Sequence, residues 1–160
     1  MINIVDLSSR RGAAVHLFPK VYALLKKEGH DLPHIHFWVK DMNKALVNIK
    51  CKWIFAIQGK DDVKGMLFYR VGDDAESLYI ETLYGIHNTV VDALLKKFEQ
   101  DDIVKSRKAF YLSRNVKREV AEEVLGTVGL QDDTVFDGDG YQLVGDAKEC
   151  GAALRVRYLR

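Results

Sequence analysis

The sequence lacks most of the features that assign a chain to a class at a glance. No apolar run approaches the ~18 residues a membrane span needs, and the N-terminus has neither the long apolar core nor the small-residue cleavage site of a secretory signal. The expectation is a soluble, cytoplasmic protein without a membrane partner. Cysteine is scarce: Cys51 and Cys150 are the only two and form no metal or redox motif. Their separation neither requires nor excludes a bridge, and reduced thiols are expected. Charge of one sign is not in excess either. A formal net charge of +1 supplies no bulk electrostatic attraction to nucleic acid. Internal repeats, low-complexity tracts and linkers are missing as well, so residues 1–160 read as one domain.

What is present is an ordinary globular composition. Apolar residues make up 48% and charged residues 29%, enough to build a core in a chain of 160 residues. Ile2 to Leu7 alternates as a first strand, and Ser8 to Gly12 reads as a polar turn. Pro19 suits the first turn of a helix whose stripe is Leu17, Val21, Leu24 and Leu25, and Gly29 ends it. Asp31-Leu-Pro33 starts a second helix, with Ile35, Val39, Met42 and Leu46 at helical spacing. From Lys50 the period becomes two. Strands over Trp53–Ile57, Val63–Val71 and Ser77–Tyr84 are joined by the turns at Lys60–Asp62 and Gly72–Ala75, which makes an antiparallel meander.

The stretch Ser77–Gln100 changes period midway. Up to Tyr84 it alternates, with Leu78, Ile80 and Thr82 on one face and Tyr79, Glu81 and Leu83 on the other. From Thr89 the apolar residues Val91, Leu94, Leu95 and Phe98 form a helical stripe. The turn between them, Gly85-Ile-His-Asn88, offers Asn88 or Thr89 as N-cap, with Asp92 completing a capping box. A strand running into a helix N-terminus presents unpaired N–H groups and a favourable dipole to an anion. Lys108–Leu112 then reads as a strand, parallel to the one before the helix because the connection crosses over. Asn115 caps a further helix closed by Gly129, and Tyr141–Val144 and Ala152–Leu159 are strand candidates. The order β-α-α-β-β-β-α-β-α-β-β gives an α/β fold with a mixed sheet.

That order resembles the GNAT acetyltransferase superfamily, most closely from about Cys51 to Leu130. Lys64-Gly-Met-Leu-Phe-Tyr-Arg70 is similar to the family's strand with an early glycine, Leu78–Tyr84 to the next strand, and Val91–Phe98 to the cofactor helix. Asn115 and the helix ending Val128-Gly-Leu130 resemble the family's Asn-initiated helix. The resemblance implies acetyl-CoA or another acyl-CoA as cosubstrate. Leu83 and Tyr84 would offer backbone to pantetheine, and His87, Asn88, Thr89 and Val90 would face the pyrophosphate. Asn115 would border the pantetheine arm, a strand N–H near Leu83 would hold the carbonyl oxygen, and Glu81 would be the general base. This sequence departs from the family in two places. No glycine follows Gly85 in the turn, and Leu125 stands near the position of the usual general-acid tyrosine.

Glu81 has a second reading from the residues themselves. A carboxylate among Tyr79 and Leu83 would have its pKa raised by desolvation toward a useful range. Alternatively it faces solvent, or pairs with an Arg or Lys on an adjacent strand. His87 suits phosphate binding or proton transfer, or is an exposed loop residue. His30, His34 and His36 lack convergent metal geometry and read as a helix start. Asp132, Asp133, Asp137 and Asp139 fail the calcium ligand ladder at Tyr141 and Lys148 and read as turn chemistry. No metal is therefore expected. Two functions follow: an N-acyltransferase acting on a small-molecule or peptide amine, or a GNAT-like binding protein without catalysis. Homodimerisation through the C-terminal strand is compatible with both.

Overall fold

The computed structural model describes residues 1–113, 141–146, 148 and 150. Its elements are β1 (Ile2–Asp6), α1 (Arg11–Val15), α2 (Phe18–Lys27), α3 (Ile35–Leu46), β2 (Cys51–Gln58), β3 (Asp62–Val71), β4 (Ser77–Gly85), α4 (Asn88–Glu99), α5 (Asp102–Ser106), β5 (Ala109–Ser113) and β6 (Tyr141–Gly145). The six strands form one sheet in the order β1-β2-β3-β4-β5-β6. All neighbours are antiparallel except β4 and β5, whose crossover through α4 makes them parallel. No helix among the described residues is long and apolar enough to cross a membrane. The helix from Asn115, the aspartate-rich turn and the strand from Ala152 lie outside the described residues.

The sheet is covered on both faces, which is why β2 is apolar on both of its sides. Trp53 and Phe55 face α1–α3 and pack with Leu17, Phe18, Val21, Leu25 and Met42. Ile54 and Ala56 face the other way and share a core with Leu67, Leu78 and Ile80 beneath Leu94, Leu95 and Phe98 of α4. Burying each such side chain contributes roughly 1.5–3 kcal/mol, so the two cores fix the layers. A polar tie adds direction on the α4 side. The Tyr69 hydroxyl donates to Asp101 Oδ2 at 2.7 Å and Lys52 Nζ lies 3.1 Å from the same oxygen. Asp101 Oδ1 accepts from the Ile103 amide and so caps α5.

Three local expectations are corrected. Arg11 and Gly12, expected in a turn, begin the short helix α1. Arg11 is held there because its guanidinium donates to the carbonyls of Leu46, Asn48 and Cys51. The second helix starts at Ile35 instead of Asp31, because residues beside Pro33 favour extended backbone and His34 supplies the cap. Its buried side is set by Trp38, Met42, Ala45 and Leu46, leaving Ile35 exposed. Helix α5 was not anticipated, although Asp101 is an N-cap residue type.

Candidate functional site at the end of strand β4

The two ladders of β4 have different lengths. Its parallel pairing with β5 runs from Ser77↔Ala109 to Ile80↔Leu112. Its antiparallel pairing with β3 continues to Gly65↔Gly85, and the Ile86 amide still donates to the Lys64 carbonyl at 3.0 Å. Residues Glu81–Gly85 therefore have β3 as their one strand neighbour among the described residues.

The register also slips where the pairing with β5 ends. Phe68 opposes Thr82 but Tyr69 opposes Ile80, so Glu81 is the extra residue of a β-bulge. This corrects the expected alternation. Leu83 was expected beside Glu81, yet it joins Leu78 and Ile80 in the core under α4 and is fully buried. The bulge adds one residue, and every side chain after it changes face. Tyr84 in turn points toward α2, where it is buried with its ring 6.0 Å from that of His30. Burial and the hydrogen bond it donates to Glu28 push its hydroxyl up to about 12.

Glu81 sits in the bulge with 17% of its side chain exposed. Tyr141 of β6 donates a hydrogen bond of 2.6 Å to Oε1, and Arg70 Nε lies 3.5 Å from the same oxygen. Arg70 is the adjacent-strand partner that the second reading of Glu81 anticipated. Burial opposes the Arg70 charge, but the Tyr141 oxygen and the Glu81 carboxylate outweigh it and raise its pKa. Burial and the bond to Glu81 push the Tyr141 hydroxyl up to about 12, so it remains a donor at neutral pH. Tyr79 organises the group. Arg70 lies 4.3 Å over its ring, Tyr111 stacks on it at 5.0 Å, and Tyr141 meets it edge-on at 5.0 Å.

A cavity of about 370 Å³ opens over the bulge, between the sheet and the α2–α3 connection. Phe68, Trp38, Met42 and Leu25 form apolar walls, and Glu81, Asp31 and Asp41 supply carboxylates. Among the described residues, neither Lys nor Arg lines it. A larger depression of about 830 Å³ lies on the outer side of α3 and touches none of the strand residues.

At the turn, the N-cap is His87 with extended backbone, and its side chain makes no capping bond. The capping box does not form. Asn88 and Thr89 already lie inside α4, and Asp92 pairs with Lys96 at 2.9 Å. His87, Asn88 and Thr89 are exposed. The amides of Val90 and Val91 donate to the His87 carbonyl at 3.0 and 3.2 Å. Among the described residues, those of Asn88 and Thr89 donate to no partner, which is the normal state of a helix's first turn. The glycines nearby serve packing. A Cβ on Gly65 would lie 2.6 Å from the Tyr84 carbonyl oxygen, and one on Gly85 would lie 2.8 Å from Val91 Cγ2. The start of α4 is thus pressed directly onto β3 and β4.

The chain brings Glu81, Leu83, Tyr84 and the first turn of α4 to one end of β4. Asn115 lies outside the described residues. The histidines serve separate purposes: His34 Nδ1 accepts from the His36 amide as the cap of α3, whereas His30 lines the cavity. The sequence points to a basic partner for Glu81 without naming Arg70, and gives no sign of Tyr141. Arg70 could have been found from its place opposite Tyr79 in the meander, but Tyr141 arrives from a strand 60 residues later.

No protein-family model matches this chain, and no curated protein is detectably similar to it. Solved structures are similar. One, from Desulfovibrio desulfuricans and provisionally described as an acetyltransferase of the GNAT family, aligns with a TM-score of 0.52 at 13% identity over 70% of this chain and 72% of its own. Another, provisionally described as an acetyltransferase, aligns with a TM-score of 0.51 at 19% identity over 83% of this chain and 91% of its own. With the mixed six-stranded sheet, the bulged β4 and its crossover helix, these likenesses establish that the chain has the fold of the GNAT acetyltransferases.

Proposed function

We propose that the protein is an acyl-CoA-dependent N-acyltransferase. The observation that carries this reading is that β4 runs on past its parallel partner, from Glu81 to Gly85, and passes directly into α4. A pantetheine arm would run along that length of strand, with a pyrophosphate at the amides of Asn88 and Thr89, which have no partner among the described residues. The residues fit acetyl-CoA or another acyl-CoA, with the donors for phosphate narrowed to the first two residues of α4 because the Val90 amide is engaged. His87, exposed at the cap, stands beside those amides. Bound there, the cosubstrate supplies an activated thioester carbonyl.

The chain's own residues account for the acceptor side. The cavity over the bulge has three carboxylates and apolar walls, a lining suited to a cationic amine on a small molecule or peptide. Glu81 takes a proton from that amine, directly or through water, and the freed nitrogen lone pair forms the N–acyl bond as the C–S bond breaks. The thiolate leaves and takes a proton from water, so no tyrosine acid is required. A backbone N–H group of β4 beyond Ile80 would stabilise charge on the carbonyl oxygen.

The test is thiol release from acetyl-CoA with a panel of primary amines. Turnover is expected with at least one cationic amine, and Glu81→Gln should reduce it by roughly 10²–10⁴-fold. Unchanged turnover would remove Glu81 from the mechanism. A second reading, a GNAT-like protein that binds without catalysis, is favoured by Val90 and Val91 occupying the space over Gly65 and Gly85. Acetyl-CoA binding without thiol release above background would support it.

A further inference from the structure

We propose that Tyr141 is a positioning residue for Glu81: with Arg70 it holds Oε1 and so leaves Oε2 as the atom that receives the acceptor's proton. This rests on the reading of Glu81 as the base. Both polar contacts of the carboxylate fall on Oε1, at 2.6 Å from the Tyr141 hydroxyl and 3.5 Å from Arg70 Nε. A carboxylate has two equivalent oxygens and a freely turning terminal torsion. A hydrogen-bond donor and a cation on the same oxygen restrict that freedom. The remaining oxygen belongs to a side chain that lines the cavity.

The two partners are themselves held in place. Tyr141 is in register with Ser113 on β5, and its ring meets Tyr79 edge-on. Arg70 Cζ lies 4.3 Å from the centroid of the same Tyr79 ring, on which Tyr111 of β5 also stacks. Three strands therefore fix the geometry around one bulged residue, and the fourth, β3, contributes the cation. The other titratable groups facing Glu81 are the buried Cys51 thiol from β2 and, across the cavity, His30, Asp31 and Asp41. None of these donates to Oε1 in the structure.

A hydrogen bond to the charged form of an acid favours that form. When an ammonium N–H bond breaks and an O–H bond forms at Oε2, the nitrogen keeps the electron pair. The Tyr141 O–H stays on Oε1 throughout, so Tyr141 gains and loses no proton. Removing its hydroxyl should leave the Glu81 oxygens unoriented.

The experiment compares wild type with Tyr141→Phe, which keeps the ring against Tyr79. kcat for a reactive amine should fall about tenfold to a hundredfold while KM for the amine stays within about twofold, because the lost bond orients the proton acceptor and touches neither substrate. Arg70→Gln, removing the ion-pair partner of Oε1, should lower kcat in the same way and serves if Tyr141→Phe folds poorly. An unchanged kcat, or a rise in KM alone, would overturn the proposal and leave Tyr141 a packing residue. The carboxyl-carbon NMR signal of Glu81 at neutral pH separates this failure from that of the enzyme reading. It should move in Tyr141→Phe whether or not turnover occurs, and an unmoved signal overturns the role of Tyr141. Absence of wild-type turnover with every amine overturns Glu81 as a base.

Discussion

Asn88→Pro isolates the anion site at the start of α4 from the rest of the fold. Asn88 is the first residue of the helix, a position where proline removes an amide that has no helical partner. The residue before it, His87, already has φ −139° and ψ 157°, the extended conformation that a following proline demands. The helix start remains closed by the Val90 and Val91 amides on the His87 carbonyl. The substitution therefore deletes one of two open donors and little else. A hydrogen bond to a charged group is worth roughly 1.5–3 kcal/mol, which corresponds to about tenfold to a hundredfold in affinity. Isothermal titration calorimetry with CoA should show that loss, while pantetheine, which lacks the pyrophosphate, should bind both proteins alike. Unfolding free energy in urea should change by no more than about 0.5 kcal/mol. Unchanged CoA affinity in a folded variant would refute the assignment of these amides, as would an equal loss for pantetheine.

Two glycines should respond to alanine with opposite signs. Gly65→Ala drives a Cβ to 2.6 Å from the Tyr84 backbone oxygen and should cost about 1–3 kcal/mol in urea unfolding, whereas Gly12, inside α1 with open space at its Cβ, should gain about 0.5–1 kcal/mol. Equal effects would contradict the close packing of α4 on β3 and β4. Asp101 should carry part of the acid sensitivity. Burial pushes its pKa up, but the bonds from Tyr69, the Ile103 amide and Lys52 outweigh that and bring it below the ordinary value. A depressed folded pKa gives stability that is complete above the unfolded value of about 3.9 and is lost as pH falls through the folded one. Asp101→Asn should therefore flatten the decline of thermal stability below about pH 4, leaving the part due to Asp61 and Asp74, whose pKa values are also lowered. A decline identical to wild type would exclude Asp101.

The parts of the fold set by periodicity were legible in the sequence. The meander from β2 to β4 follows from period-two apolar patterns split by Lys60–Asp62 and Gly72–Ala75, and α4 from the spacing of Val91, Leu94, Leu95 and Phe98. The bulge was not legible, because Leu78 to Tyr84 alternates without a break and the extra residue is defined only by pairing with β3. That one slip moved Leu83 to the other core and gave Glu81 its own environment. The cap of α3 was hidden for a related reason: an imidazole nitrogen, not one of the usual cap side chains, accepts the amide. Tyr141 was out of reach, since its meeting with Glu81 depends on β6 joining the far edge of β5. The order of the strands through β5, the helices α2–α4 and the strand position of Glu81 could be read. What holds the carboxylate could not.

The acyl-CoA site proposed at the end of β4 and the start of α4 is decided by a thermal-denaturation titration of the wild-type protein with acetyl-CoA. Binding to the folded state at 100 times the dissociation constant adds about 2.7 kcal/mol, or roughly 5–11 °C for a chain of this size. The account predicts a saturable rise of that order. A melting temperature unmoved by millimolar acetyl-CoA would contradict it.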